Sequence, residues 1–573
     1  MAFLGGGHAQ LPLSGSIGQA DRWHCSWDPQ PRIPDPELIA MQKWVAVVMI
    51  SCLGLSAPTL LWAGDRANLP LKNWGGFALF RDPVYDDLER LVTAGLADRV
   101  VLNTKPLSRK EAARVVARVI EKIRRDEVGA YNARRDLEPI LDRLIKEFRT
   151  ELAALGVKEV GDLGPPPGFV AFIPVDRVQA RTGFASRDLF WVNSQGLKFQ
   201  EGLNAGTTFD SRLQLGDVFT LYVQPEFQAN KEFAAAKLLT GYAKLTFHNI
   251  ELFAGRESLW WGPGLHGSLI FSDNAAPLDH VKIGSAEPFL LPWIGEWVGP
   301  TKLLFFLAQL EERRDHPRAK LAGMRATIAP FSFLELGASY ANMFDGSDRP
   351  RLELKDYPRV LFDPPSSDQV LGRPEFRNNV LLSLDADLRL RNVDRYLPAT
   401  RDLRLYGEFG WDDTCCDSVV FPLKDAVSWL AGIQLFGVLG VEGLEARFEY
   451  AESSRLSFTH AQFYRGHWTR GAVISHVMGT DGKDLYARIT NRFTQDFMLG
   501  IELNRAVIGN TLNGFTGPKE RRNGSGIDVS YRVWERYSVF AQYQIMNTKN
   551  RGFRSGDNGL DYLFRVELTG SFR

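Results

Sequence analysis

The stretch Tyr562-Leu563-Phe564-Arg565-Val566-Glu567-Leu568-Thr569 decides the fold. Its even positions are large and apolar, and its odd positions are mostly polar. Asn379 to Arg391 repeats the pattern, with Val380, Leu382, Leu384, Ala386, Leu388 and Leu390 set against Ser383, Asp385, Asp387 and Arg389. A strand points successive side chains to opposite faces, so each burst has one apolar face and one charged face. Such bursts recur through roughly the last 400 residues, as expected of a closed sheet with lipid outside and a polar lumen inside. A soluble all-β protein is the alternative, but its core would reject so many full charges at inward positions.

Seventeen spans can be placed from this pattern, from 177–185 to 560–572. The joins at His248, Pro330 and Glu535-Arg536 are short; those at 343–378, 452–483 and 505–524 are long. Membrane barrels put short turns in the periplasm and long loops outside. Both conditions hold only if one more span is hidden between Ser258 and Thr301. The fold class is therefore mainly β: an outer-membrane barrel of about 18 antiparallel strands, with both termini in the periplasm.

A small periplasmic α-helical bundle precedes the barrel. Asp82-Pro83 suits a helix start, Tyr85, Leu88, Leu91 and Val92 form one apolar face, and Gly95 is the expected stop. Ser108-Arg109-Lys110-Glu111 is a capping box that opens a second helix. A third is predicted from about Leu137 to Leu155, and the run Gly164 to Gly168 is a stiff joint. Upstream, Met41-Gln42-Lys43 and the apolar run from Trp44 to Leu61 read as a secretory signal over 41–63. Residues 1–40, aperiodic and rich in Pro, Gly and His, read as a non-native extension. The expected domains are thus 1–40, 41–63, 64–164 and 165–573.

Lys+Arg and Asp+Glu are equal at 68 each, and no basic cluster forms a phosphate track, so nucleic acid is not an expected partner. Of the four cysteines, Cys25 and Cys52 lie in or before the export signal, and Cys415-Cys416 has no second pair to complete a zinc site. His460, His467 and His476 lack carboxylates at ligand spacing. No metal or cofactor is expected.

In the region of the hidden span runs Gly255-Arg256-Glu257-Ser258-Leu259-Trp260-Trp261-Gly262-Pro263-Gly264-Leu265-His266-Gly267-Ser268-Leu269-Ile270-Phe271-Ser272-Asp273-Asn274-Ala275-Ala276-Pro277. Indole faces stack on sugar rings, and Arg, His, Asp and Asn pair with hydroxyls. Arg256, Trp260, Trp261, His266, Asp273 and Asn274 are therefore the candidate polysaccharide contacts. The competing reading has Trp260 and Trp261 anchoring the loop at the membrane interface or filling the lumen.

This run resembles the signature stretch of the Wzi family of capsule assembly proteins. The order of signal peptide, helical bundle and large barrel resembles the family too. Its members are outer-membrane surface lectins, so the resemblance implies that this chain holds exported capsular polysaccharide or exopolysaccharide on the cell. The expected partners are that polysaccharide, outer-membrane lipid and the barrel-assembly machinery, which reads a terminal aromatic; here Phe572 is penultimate. A monomer in the outer membrane of a Gram-negative cell is expected. A diffusion channel is the alternative, because Arg389, Arg404, Glu408, Glu445, Arg447, Glu449 and Arg488 could line a pore or knit a plug. An enzyme is not expected: His266-Gly267-Ser268 could offer a nucleophile and base, but no orienting acid stands out.

Overall fold

The computed structural model describes residues 66–71, 83–125, 135–157, 170–190, 192–349, 352–362, 378–412, 426–460, 463–509, 517–534 and 536–572. The segment 41–63 expected to be an export signal, residues 1–40, Asp82, the expected joint at 164–168 and all four cysteines lie outside the described residues.

Eighteen antiparallel strands close into one barrel. Each pairs with its neighbours in sequence, and Val170–Ala185 closes the ring on Gly559–Ser571. The span missing from the sequence pattern is Leu278–Ser285, between Ile250–Glu257 and Thr301–Gln309. Its brevity and its inward His280 and Lys282 leave only Val281 and Ile283 as an outward apolar signal.

The alternation separates lipid from lumen. On the last strand Phe564 is 46% exposed and Leu568 54%, whereas Arg565 is 1% and Glu567 6%. Phe247, Leu252, Ile283, Ile501 and Ile527 are likewise exposed. Such a surface needs lipid, and a closed sheet leaves no unpaired edge within it. The chain is accordingly an outer-membrane barrel. Exposed Phe247, Phe331, Phe493 and Trp534 cluster at the ends joined by short turns, as an interfacial aromatic belt.

The bundle is built from α1 (Pro83–Thr93), α2 (Arg109–Arg124), α3 (Glu138–Glu147) and α4 (Arg149–Ala154). Gly95, at φ +76°, follows α1 as a left-handed stop, and the Ser108–Glu111 capping box is formed on α2. The single third helix read from the sequence is broken at Phe148. Arg109 donates to the Glu147 carbonyl at 2.7 Å and lays its guanidinium over the Phe148 ring, inserting a side chain where the helix would run straight.

This bundle is not a free-standing unit. It is tied to the short-turn end of the barrel by Lys110–Asp217 at 2.5 Å, Arg90–Glu445 at 3.1 Å and Arg492–Asp87 at 3.3 Å. The segment after α1 continues inside the wall, where Thr104–Lys105 pairs with Trp260–Trp261.

Candidate functional site

Two plugs meet in the lumen. From the periplasmic side, Leu102 and Asn103 donate their backbone amides to the Glu335 carboxylate at 2.8–3.0 Å. Arg325 donates to the Asn103 carbonyl at 2.9 Å and to Asp385 at 2.7 Å. Arg389 donates to the Val100 carbonyl at 3.1 Å and to Asp387 at 2.7 Å. Arg404 joins all three parts of the interior: Asp387 of the wall at 2.8 Å, Glu89 of α1 at 3.2 Å and the Pro263 carbonyl of the outer loop at 3.2 Å. Of the inward charges read from the sequence, Arg389, Arg404, Glu445, Arg447 and Arg488 are ion-paired, while Glu408 and Glu449 accept hydrogen bonds from the outer loop. A buried charge is tolerated when it is so partnered.

From the outside, the loop 258–277 folds down onto the same wall. Glu449 accepts the amides of Leu265 and His266 at 2.6 and 2.8 Å, and Glu408 accepts that of Leu269 at 3.0 Å. Its glycines are there for close approach. A Cβ on Gly267 would stand 2.0 Å from the His476 ring, and Gly262 holds φ +138° with Glu408 2.8 Å from where its Cβ would be.

The six candidate contacts do not form one sugar-facing surface. Trp260 is 1% exposed and packs among the apolar side chains of the helical bundle. Trp261 is 0% exposed, with its ring centroid 4.6 Å from Phe271 and 5.5 Å from Phe306. The two indoles thus fill the lumen, facing opposite plugs. His266 is buried, stacks on Tyr486 at 4.3 Å and lies 3.0 Å from Asp484. Burial alone would depress its pKa; the Asp484 carboxylate outweighs that and raises it. Asp273 and Asn274 are buried too, and receive the chain 193–196: Asn193 donates to Asn274 Oδ1 at 2.8 Å, and Gln195 to the Asp273 carbonyl at 2.7 Å. Arg256 stands apart. It faces outward near the rim, bound by both ends to its cross-strand neighbour Asp279 at 2.6 and 2.7 Å, and Arg470 shares that carboxylate at 2.9 Å.

Ser268 donates to the Trp261 carbonyl and lies 3.3 Å from Glu408, so its bonds run to those groups and not to His266. His467 and His476 are buried neutral rings; burial pushes them down to about 3 and about 4. Among the described residues no cluster of His, Cys, Asp or Glu could hold a metal.

Sequence reasoning missed Glu89, Asn103, Asn193 and Gln195, whose partners on the wall and in the outer loop lie far away in the chain. It also missed the exposed part of the outer face. In the loop 454–482, Tyr464 is 48% exposed, next to exposed Arg465, whose guanidinium bonds the Arg313 carbonyl at 2.9 Å.

The geometry defines a class: a large outer-membrane barrel whose lumen, among the described residues, receives a segment of the helical bundle from one end and a long loop from the other. Comparison with known proteins makes this particular. The capsule assembly protein Wzi family model matches residues 176–560, and the chain belongs to that family. A curated Klebsiella pneumoniae relative, an uncharacterized 55.8 kDa protein in the cps region, is 29% identical over 266 residues, which is 45% of this chain and 45% of the relative. The match thus spans less than half of that relative's length. Escherichia coli Wzi, described as an outer membrane protein involved in group 1 capsule assembly and a carbohydrate-binding β-barrel, aligns with a TM-score of 0.62 at 20% identity. The alignment covers 86% of this chain and 99% of that one.

Proposed function

We propose that this chain binds exported capsular polysaccharide or exopolysaccharide at the outer face of the membrane and holds it on the cell. Membership of the Wzi family carries the reading, and the carbohydrate binding of the Escherichia coli protein supports it. The filled lumen agrees: two plugs, one held to the wall by buried ion pairs and hydrogen bonds and the other by hydrogen bonds to wall carboxylates, leave the outer loops as the surface on which a polymer can rest.

Among the six candidates, Trp260, Trp261, His266, Asp273 and Asn274 then act from below, fixing the loop that floors the outer face, and Arg256 with Arg470 is the part a sugar could touch. Tyr464 and Arg465 add an exposed ring beside a guanidinium, the combination that suits a sugar face flanked by hydroxyls or a carboxylate. On this reading the chain acts as a monomer wrapped by outer-membrane lipid, after removal of the expected export signal at 41–63 and insertion by the barrel-assembly machinery. It works by binding, without catalysis.

The test is retention of surface polysaccharide by cells carrying Tyr464→Ala with Arg465→Ala. Loss of retention, with the protein present and folded in the membrane, is expected; unchanged retention removes this surface from the site. A diffusion channel is the second reading. It requires steady conductance in planar bilayers, and the plugs oppose it.

A further inference from the structure

The outside of the barrel carries a feature that polysaccharide binding does not use. On Phe497–Ile508, Glu520–Trp534 and Tyr537–Lys549 the lipid-facing side chains run apolar from the short-turn end: Ile501 and Leu503, Ile527, and Tyr543 are all exposed. Toward the long-loop end each row then changes character. On the first strand the next outward position is Arg505; on the second, half-buried Ser525 leads to Asn523 and Arg521; on the third, half-buried Ile545 leads to Asn547 and Lys549; all but Ser525 and Ile545 are exposed. Their registers bring them together. Arg505 is opposite Asn523, Asn523 is opposite Asn547, and Arg521 is directly opposite Lys549.

Like charges placed directly opposite on a sheet repel. Here no side-chain hydrogen bond or ion pair among the described residues answers Arg505, Arg521 or Lys549. The carboxylates at this end are committed elsewhere. Glu520 points inward to Arg522 at 2.5 Å, Asp561 binds Arg551 at 2.9 Å, and Asp481 binds Lys519 at 2.6 Å. Three uncompensated cations and two amides therefore stand in a patch across three adjacent strands, directly above an apolar wall.

We propose that this patch binds the phosphate groups of a phosphorylated lipid of the outer leaflet, whose acyl chains lie on Ile501, Leu503, Ile527 and Tyr543. Cations at a bilayer surface attract anionic headgroups, and guanidinium and ammonium groups donate several charge-assisted hydrogen bonds to phosphate. A soluble anion would satisfy the charges but would leave the apolar rows beneath unused. A phosphorylated amphiphile satisfies both at once, and by pinning the barrel in the outer leaflet it would set how far the loops project. Headgroup binding here does not depend on polysaccharide binding above.

The purified full chain in detergent tests it, with binding measured by native mass spectrometry against three probes: lipid A, lipid A with both phosphates removed, and inorganic phosphate. Wild type is expected to prefer the phosphorylated lipid. The triple variant Arg505→Gln, Arg521→Gln, Lys549→Gln is expected to bind it about a hundredfold less, at about fivefold per cation. Arg554→Gln, in the neighbouring loop, serves as control. Heat-modifiable gel mobility reports that each barrel is folded, and the single variant Arg521→Gln, expected to lose about fivefold, covers a failure of the triple to fold. Equal binding by wild type and variants, or equal binding of the lipid with and without phosphate, overturns the proposal. Binding of inorganic phosphate as tight as that of the lipid overturns the lipid as ligand.

Discussion

Replacing Arg404 with Leu should loosen both plugs at once while sparing the wall. The guanidinium is buried and holds two bonds to Asp387 at 2.8 and 2.9 Å, one to Glu89 at 3.2 Å and one to the Pro263 carbonyl at 3.2 Å. Asp387 retains Arg389 and Asn103, and Glu89 retains Lys105 and Arg447, so neither carboxylate is stranded. The loss is that of charge-assisted hydrogen bonds without a stranded charge, about 1.5–3 kcal/mol. At about 1.4 kcal/mol per factor of ten, this raises the fraction of open plug by about ten- to a hundredfold. Amide hydrogen exchange at Leu102, Asn103, Leu265, His266 and Leu269 reads that fraction directly, since these amides are held by carboxylates of the wall. Arg404→Lys should fall between, keeping the charge but losing the fork. Exchange at those amides no faster than in wild type, with Arg404→Leu folded, would refute the claim that this residue locks the two plugs together.

Trp261→Ala should cost about 3–5 kcal/mol through the cavity left against Phe271 and Phe306, read as faster exchange or a lower melting temperature. Gly267→Ala should destabilise the outer loop by about 1–3 kcal/mol, because its Cβ would meet the His476 ring; the same assays read it. Acid should loosen the outer loops. His467 and His476 are held below their ordinary value of 6.5 by burial, so their contribution is present above pH 6.5 and is lost as pH falls toward about 3 and about 4. For His467 the loss between about pH 7 and about pH 4.5 is on the order of 2–3 kcal/mol, and His467→Phe should flatten the exchange profile of residues 463–476 over that range. His266 runs the other way: its pKa is raised, so its bond to Asp484 is fully present below pH 6.5 and weakens as pH rises through the folded-state value.

The wall of this protein is written in local pattern, and so it is legible. Phe564 and Leu568 face lipid while Arg565 and Glu567 face in, as their alternation requires, and turn lengths demanded an eighteenth span between Ser258 and Thr301, which the structure places at Leu278–Ser285. The plugs are not local. Thr104–Lys105 and Trp260–Trp261 are strands of two residues, too short for any period to mark, and their pairing sets Thr104 against Trp261 from a distant part of the chain. Asp387, Arg389 and Arg404 announced a charged inner face, but nothing near them names Asn103, Val100 or Glu89 as their partners. The two indoles show the same limit. A tryptophan beside glycines suits a sugar platform and a packed loop equally well, and only burial to 1% and 0% distinguishes them.

That this barrel holds polysaccharide on its outer loops is tested most directly by surface plasmon resonance of the purified, folded chain against the exported polysaccharide of its own cell. Saturable binding that weakens with Tyr464→Ala and Arg465→Ala is expected; no binding by a folded protein would contradict the account.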